Sequence, residues 1–157
     1  MIGPRIAGGL LAVATLTTAT ACASLDPSAR AGEARVAASS STRPTDHLDL
    51  LVQQALPNVK GKTFTSAIVY LPPDARAAPH RHGQAFVYAY VLEGTVRSQL
   101  ADKPVTVYHQ GQNWVEEPGA HHLLTENTST TKAAKLLVVF VSDTGASLKT
   151  DDPGAPG

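Results

Sequence analysis

Apolar residues in the middle of the chain fall in short runs set off by turn residues. Phe64 to Leu71 (FTSAIVYL) is rich in β-branched and aromatic residues and stops at Pro72-Pro73. Phe86 to Leu92 is a second such run, ended by Glu93-Gly94. Thr95 to Leu100 alternates apolar and polar residues before the turn Ala101-Asp102-Lys103-Pro104. Val105 to Tyr108 follows, with a break at Gly111, and Asn113 to Glu116 runs into Pro118-Gly119. His121 to Thr125 is short, and Lys135 to Val141 (KLLVVFV) reads as a buried strand. Asp46 to Leu56 reads either as a one-sided helix capped by Asp46 or as a first strand, and strand is preferred. Short strands at regular intervals with turns between them predict an all-β sandwich or barrel. No internal repeat is present.

The flanks differ from this middle. Ala23 to about Thr45 carries almost no large apolar residue, so it cannot bury enough to offset the entropy of ordering. Residues 22–45 are therefore expected to be a flexible tether, 46–146 a single barrel domain, and 147–157 (SLKTDDPGAPG) a loose, disordered tail. Residues 1–21 hold one positive charge, Arg5, and then an uncharged run from Ile6 to Ala21. That is the layout of a secretory signal peptide, and the run is short for a membrane-spanning helix. It ends Ala19-Thr20-Ala21-Cys22, which resembles a bacterial lipobox with Ala19 where a larger aliphatic residue is usual. Lipidation at Cys22 is expected, with ordinary cleavage near Ala21 or Ala23 as the alternative. The expected location is the periplasm or a lipid anchor on the bacterial envelope, so a membrane enters only through that anchor.

Composition narrows the partners. Thirteen Lys+Arg balance thirteen Asp+Glu, and the pI is about 7.0, which argues against a nucleic-acid surface. With one cysteine, no disulfide forms within the chain. No phosphate-cradling glycine loop and no nucleophile elbow are present. The chemistry rests on histidines. His80 and His82 are two apart, and on an extended strand such side chains share a face. Pro79 disfavours helix there. A third ligand must come from elsewhere, and His121-His122 lie after a Pro-Gly turn on a later strand. His47 and His109 read as solvent-facing. Trp114, Phe86, Tyr88 and Tyr90 read as barrel lining or core.

The spacing around these histidines resembles the cupin superfamily, in small single-domain form of the quercetin-dioxygenase-like conserved-barrel kind. HRHGQAFVYAYVLEG (His80 to Gly94) resembles the first cupin motif, and GQNWVEEPGAHHLLTEN (Gly111 to Asn127) the second. The resemblance implies a small double-stranded β-helix, or jelly-roll, barrel. It implies His80, His82 and His122 as ligands of a divalent transition metal, with His121 pointing away or at the site's edge. Fe, Mn, Ni, Cu and Zn all suit such a set. One departure is plain: the glutamate of the first motif falls on Val87, which cannot bind a metal. Gln84 could supply an extra ligand if the strand keeps its parity. So could Glu116 or Glu117, with Glu116 also a candidate catalytic base. The expected function is a metal-dependent, dioxygenase-like oxidoreductase acting on a small enol, diketone or phenolic compound. The alternative is a non-catalytic cupin that binds a small ligand or metal at the cell envelope. Cupins are often dimers, so a homodimer is a further expectation.

Overall fold

The computed structural model describes residues 43–154. The signal segment, Cys22 and all but the end of the expected tether lie outside the described residues. Eleven strands make up the domain: β1 (His47–Ala55), β2 (Lys62–Leu71), β3 (Arg76–Ala77), β4 (His80–Arg81), β5 (Phe86–Glu93), β6 (Thr95–Leu100), β7 (Thr106–His109), β8 (Asn113–Glu116), β9 (His121–Asn127), β10 (Ala134–Asp143) and β11 (Thr150–Asp151). One sheet has the order β1-β2-β10-β5-β8, and the other β11-β4-β9-β6-β7, with β3 also paired to β9. Every pairing is antiparallel. This is the double-stranded β-helix: an all-β barrel in which strands distant in sequence lie side by side. The ambiguous segment at the start is the strand β1.

Alternation decides what each strand buries. Strand β10 buries Ala134, Leu136, Val138, Phe140 and Ser142 and leaves the residues between them partly open. Strand β5 buries Val87, Ala89 and Val91. Its aromatics therefore take the opposite face: Phe86 is exposed, and Tyr88 and Tyr90 are half-buried. They do not line the barrel as expected, because the pleat lets only one parity inward. Trp114 on β8 does face in. The apolar core centres on Leu71, Val87, Val91, Val96, Leu136 and Phe140.

Two residues of the motif-like stretches hold the barrel together. Gly94 carries the chain from β5 to β6 with φ +79°; a Cβ there would stand 2.9 Å from the Ala133 carbonyl oxygen and 3.0 Å from Ala134 Cα. Only glycine meets both the left-handed backbone and the close approach. Asn127 is buried at the end of β9. Its Nδ2 donates to the carbonyls of Leu71, Pro72 and Lys132 at 3.0, 3.0 and 2.7 Å, and its Oδ1 accepts from Ser129 N at 3.0 Å. One side chain thus ties the end of β2 to the β9–β10 loop.

The end of the chain differs from expectation. Residues 147–152 do not hang free of the barrel. Leu148 packs against the core, and Thr150–Asp151 pairs with β4 as the edge strand β11. The polar, Pro/Gly-rich composition of the tail hid one apolar anchor and a two-residue strand.

Candidate metal centre

Strand register brings the histidines together. His80 on β4 and His122 on β9 are direct cross-strand partners, as are Arg81 and His121. Opposed residues of an antiparallel pair lie on one face, so His80 and His122 turn inward together while Arg81 and His121 turn outward. His82 follows His80 by two and joins the inner set. Ring centroids lie 4.8 Å apart for His80 and His82, and 5.0 Å for His80 and His122. One nitrogen from each ring falls within 4.8 Å of the others. Outside, His121 accepts from Arg81 Nη2 at Nδ1 (2.8 Å) and contacts Asp152 Oδ2 through Nε2 at 2.7 Å.

Hydrogen bonds fix how two of the rings present themselves. His80 Nδ1 donates to the Ala78 carbonyl at 2.7 Å, and His82 Nδ1 donates to the Leu148 carbonyl. A carbonyl only accepts, so both rings carry their proton on Nδ1 and keep Nε2 as a free lone pair. This is the outer support usual for a metal-ligating histidine. His122 is held from the other side. Its Nε2 meets the hydroxyls of Ser98 and Thr125, each at 2.8 Å, which leaves Nδ1 turned to Glu116.

Glu116 completes the group. It is 3% exposed, and its Oε1 accepts from Trp114 Nε1 at 3.1 Å and lies 3.0 Å from His122 Nδ1. The second contact is close but not aligned as a hydrogen bond, so His122 Nδ1 has no hydrogen-bond partner. Glu116 Oε2 also has none; it stands 3.7 Å from His82 Nε2. Two unpaired buried polar atoms beside the free Nε2 of His80 and His82 are costly unless a partner meets them. A divalent cation would satisfy them, so the residues fit a transition metal. Glu116 is also the cross-strand partner of Val87. A carboxylate thus stands on β8, opposite the β5 position where the motif lacks one.

Burial sets the charges. His80 is pushed down from 6.5 to about 4, chiefly by burial, against the Ala78 carbonyl and with help from the neighbouring imidazoles. His82 is lowered for the same first reason, and the Leu148 carbonyl and Glu116 oppose the shift. Burial pushes the Glu116 carboxyl up, but His122, His82 and the Trp114 N–H outweigh it and leave it below its ordinary value. The sign for stability follows. Between pH 6.5 and about 4 an unfolded His80 takes up a proton that the folded one refuses, so stability falls as pH falls through that window. The melting temperature of metal-free protein is expected to decline across it, and His80→Gln is expected to flatten the decline. An equal slope in the variant would remove His80 as a cause.

Gln84 does not join the cluster. Strand β4 ends at Arg81, and Gly83 at φ +58° turns the chain, so the two-residue parity stops there. Gln84 is exposed in that turn, with its Nε2 toward Gly119. Glu117 is exposed as well. The histidines and Glu116 open instead on a cavity of about 60 Å³ whose wall includes Ala77, Ala89, Leu136, Val138, Phe140 and Leu148. Three site contacts escaped the sequence reading. Ser98 and Thr125 had a signal, being polar residues at inward-facing strand positions. The Leu148 carbonyl had none, since backbone atoms carry no sequence signature.

The fold and site define a class: a small antiparallel barrel with an inward cluster of three histidines and a buried carboxylate. Residues 67–140 match the family described as Cupin domain. With the barrel fold, that match supports placing the chain in the cupin superfamily. Solved structures agree on the fold. A cupin 2 domain-containing protein from Halorhodospira halophila superposes with a TM-score of 0.55 at 16% identity, covering 70% of this chain and 72% of that one. The DMSP lyase DddQ from Ruegeria pomeroyi gives 0.54 at 18% identity, covering 72% and 54%. An oxalate oxidase in complex with the substrate analogue glycolate gives 0.55 at 17% identity, covering 73% and 58%. This chain thus spans little more than half the length of those two enzymes. No curated protein matches its sequence.

Proposed function

We propose that this chain holds a divalent transition metal (Fe, Mn, Ni, Cu or Zn) on His80, His82 and His122. In this reading it acts as a dioxygenase-like oxidoreductase on a small enol, diketone or phenolic compound. The observation that carries it is the pair of unpaired buried atoms, His122 Nδ1 and Glu116 Oε2, beside the free Nε2 of His80 and His82. Bound there, the metal would polarise a chelating oxygen ligand and, if redox-active, engage O₂. The protein's own part is to hold three imidazoles in fixed tautomers, keep a carboxylate beside them and line the rest of the space with apolar groups. The lowered pKa of Glu116 favours an ionised ligand over a general base, since a base works best with a pKa near the operating pH.

Size narrows the substrate. A cavity of about 60 Å³ with a largely apolar wall suits a short β-diketone or enol better than a multi-ring flavonol. Oxygen uptake by protein loaded with each metal in turn, offered acetylacetone, catechol and a flavonol, tests this. Turnover of the smallest chelator is expected. The same small cavity favours a second reading, a non-catalytic binder of metal or ligand: saturable binding with no uptake for any metal would establish it and end the first. Export and a lipid anchor at Cys22 belong to the proposal as well, on the charge pattern of residues 1–21 and the Ala19-Thr20-Ala21-Cys22 sequence. Cys22→Ala is expected to abolish palmitate labelling, and unchanged labelling would remove the anchor.

A further inference from the structure

After β10 the chain returns to the wall of the cavity. Leu148 seats its side chain against the core and, with Lys149, lines the cavity. The segment is fastened at several points. Lys149 Nζ lies 3.7 Å from Asp46 Oδ1 and 3.1 Å from Asp151 Oδ1. Thr150 pairs with Arg81, and Asp151 with His80. Asp152 N donates to the Pro79 carbonyl at 2.9 Å, and Asp152 Oδ2 accepts from His121 Nε2 at 2.7 Å. Most of these fastenings end on residues that flank the inward histidines.

We propose that Leu148–Asp152 is a working part of the metal centre: the Leu148 carbonyl positions His82, so metal affinity and closure of this segment are coupled. The inference rests on the metal-binding reading above. His80 takes its orienting bond from Ala78, two residues away, and His122 is held by two neighbouring-strand hydroxyls. His82 is different. The Leu148 carbonyl, 66 residues away in sequence, is the hydrogen-bond partner of its ring among the described residues. His82 is also the least buried of the three, and it lies beyond the end of β4. Its orientation therefore depends on the segment that leads into β11, the edge strand beside β4. Losing such an outer partner costs a metal site about 10–100-fold in affinity. Coupling of this kind is reciprocal: whatever the closed segment adds to metal affinity, the metal adds to closure.

The test uses the full chain and Co(II). Leu148→Ser removes the apolar anchor, and Asp152→Ala removes the clamp to His121. Each is expected to lower Co(II) affinity about tenfold or more, with Leu148→Met and Asp152→Glu recovering most of it. In metal-free protein, the nitrogen NMR shifts of His82 are expected to show Nδ1 protonation in the full chain and mixed tautomers in Leu148→Ser. Co(II) is expected to slow hydrogen exchange at the Asp152 amide. Variants that match the parent in both affinity and His82 tautomer would overturn the inference while leaving the metal site standing. A parent chain that binds no Co(II) would overturn both.

Discussion

Glu116→Gln is expected to lower Co(II) affinity about 100-fold, a loss of about 2.7 kcal/mol. Glutamine keeps the volume and can still accept from Trp114 Nε1, so the change removes charge and little else. The carboxylate contacts both His122 and His82, and its Oε2 has no hydrogen-bond partner of its own. A charged ligand in so buried a site contributes at least as much as the outer partners, whose loss costs about 10–100-fold. Glu117→Gln is the control: that side chain is exposed one residue on, and affinity should stay within about twofold of the parent. The register supplies a rescue. Val87 and Glu116 face each other across β5 and β8, both inward. Val87→Glu in the Glu116→Gln background is therefore expected to restore part of the affinity. Calorimetric titration reads all three. Equal affinity for parent and Glu116→Gln would leave a bare three-histidine site.

Asn127→Ala is expected to cost about 3 kcal/mol of stability without any contact to the histidines. The substitution strands the carbonyls of Leu71, Pro72 and Lys132 and the Ser129 N–H. Each buried group left unsatisfied costs about 1–3 kcal/mol, though water reaching the loop side recovers some of that. At about 4 °C per kcal/mol for a domain of this size, the melting temperature should fall about 12 °C. Scanning calorimetry measures it directly, and a fall under about 3 °C would show that the loop closes without this side chain. The residue that ends the second motif thus serves the barrel rather than the chemistry.

Much of this was legible in the chain, for identifiable reasons. Strands β5, β6, β8, β9 and β10 each show a strand-forming apolar run or an alternation, with turn markers such as Gly94, Pro104 or Pro118 between them, and all were read within two residues of their observed ends. The two-residue strands β4 and β11 are too short to show a period. Phe86, Tyr88 and Tyr90 were misread because a continuous apolar run does not show which parity faces inward. Val87 was recognised as a gap, but a pattern read along the chain does not show what stands opposite. Glu116 sits 29 residues later and one strand over, since 116 − 87 = 29, and only the register reveals that it faces the gap. Gln84 failed for the converse reason: it kept the right spacing on paper, but a left-handed glycine had already turned the chain.

The pairing of His80 with His122 also bears on how the molecule comes apart. The two histidines are 42 residues apart (122 − 80 = 42) and sit in different strands of one sheet. An ion held by both is a cross-link closing a long loop, and it resists the separation of β4 from β9 that unfolding requires. Wherever proteases act on whatever opens, lifetime depends on how often those strands part. A bound ion would then act as a durable clasp as well as a reactive centre, and depleting the medium of metal would shorten the protein's survival before any substrate is met.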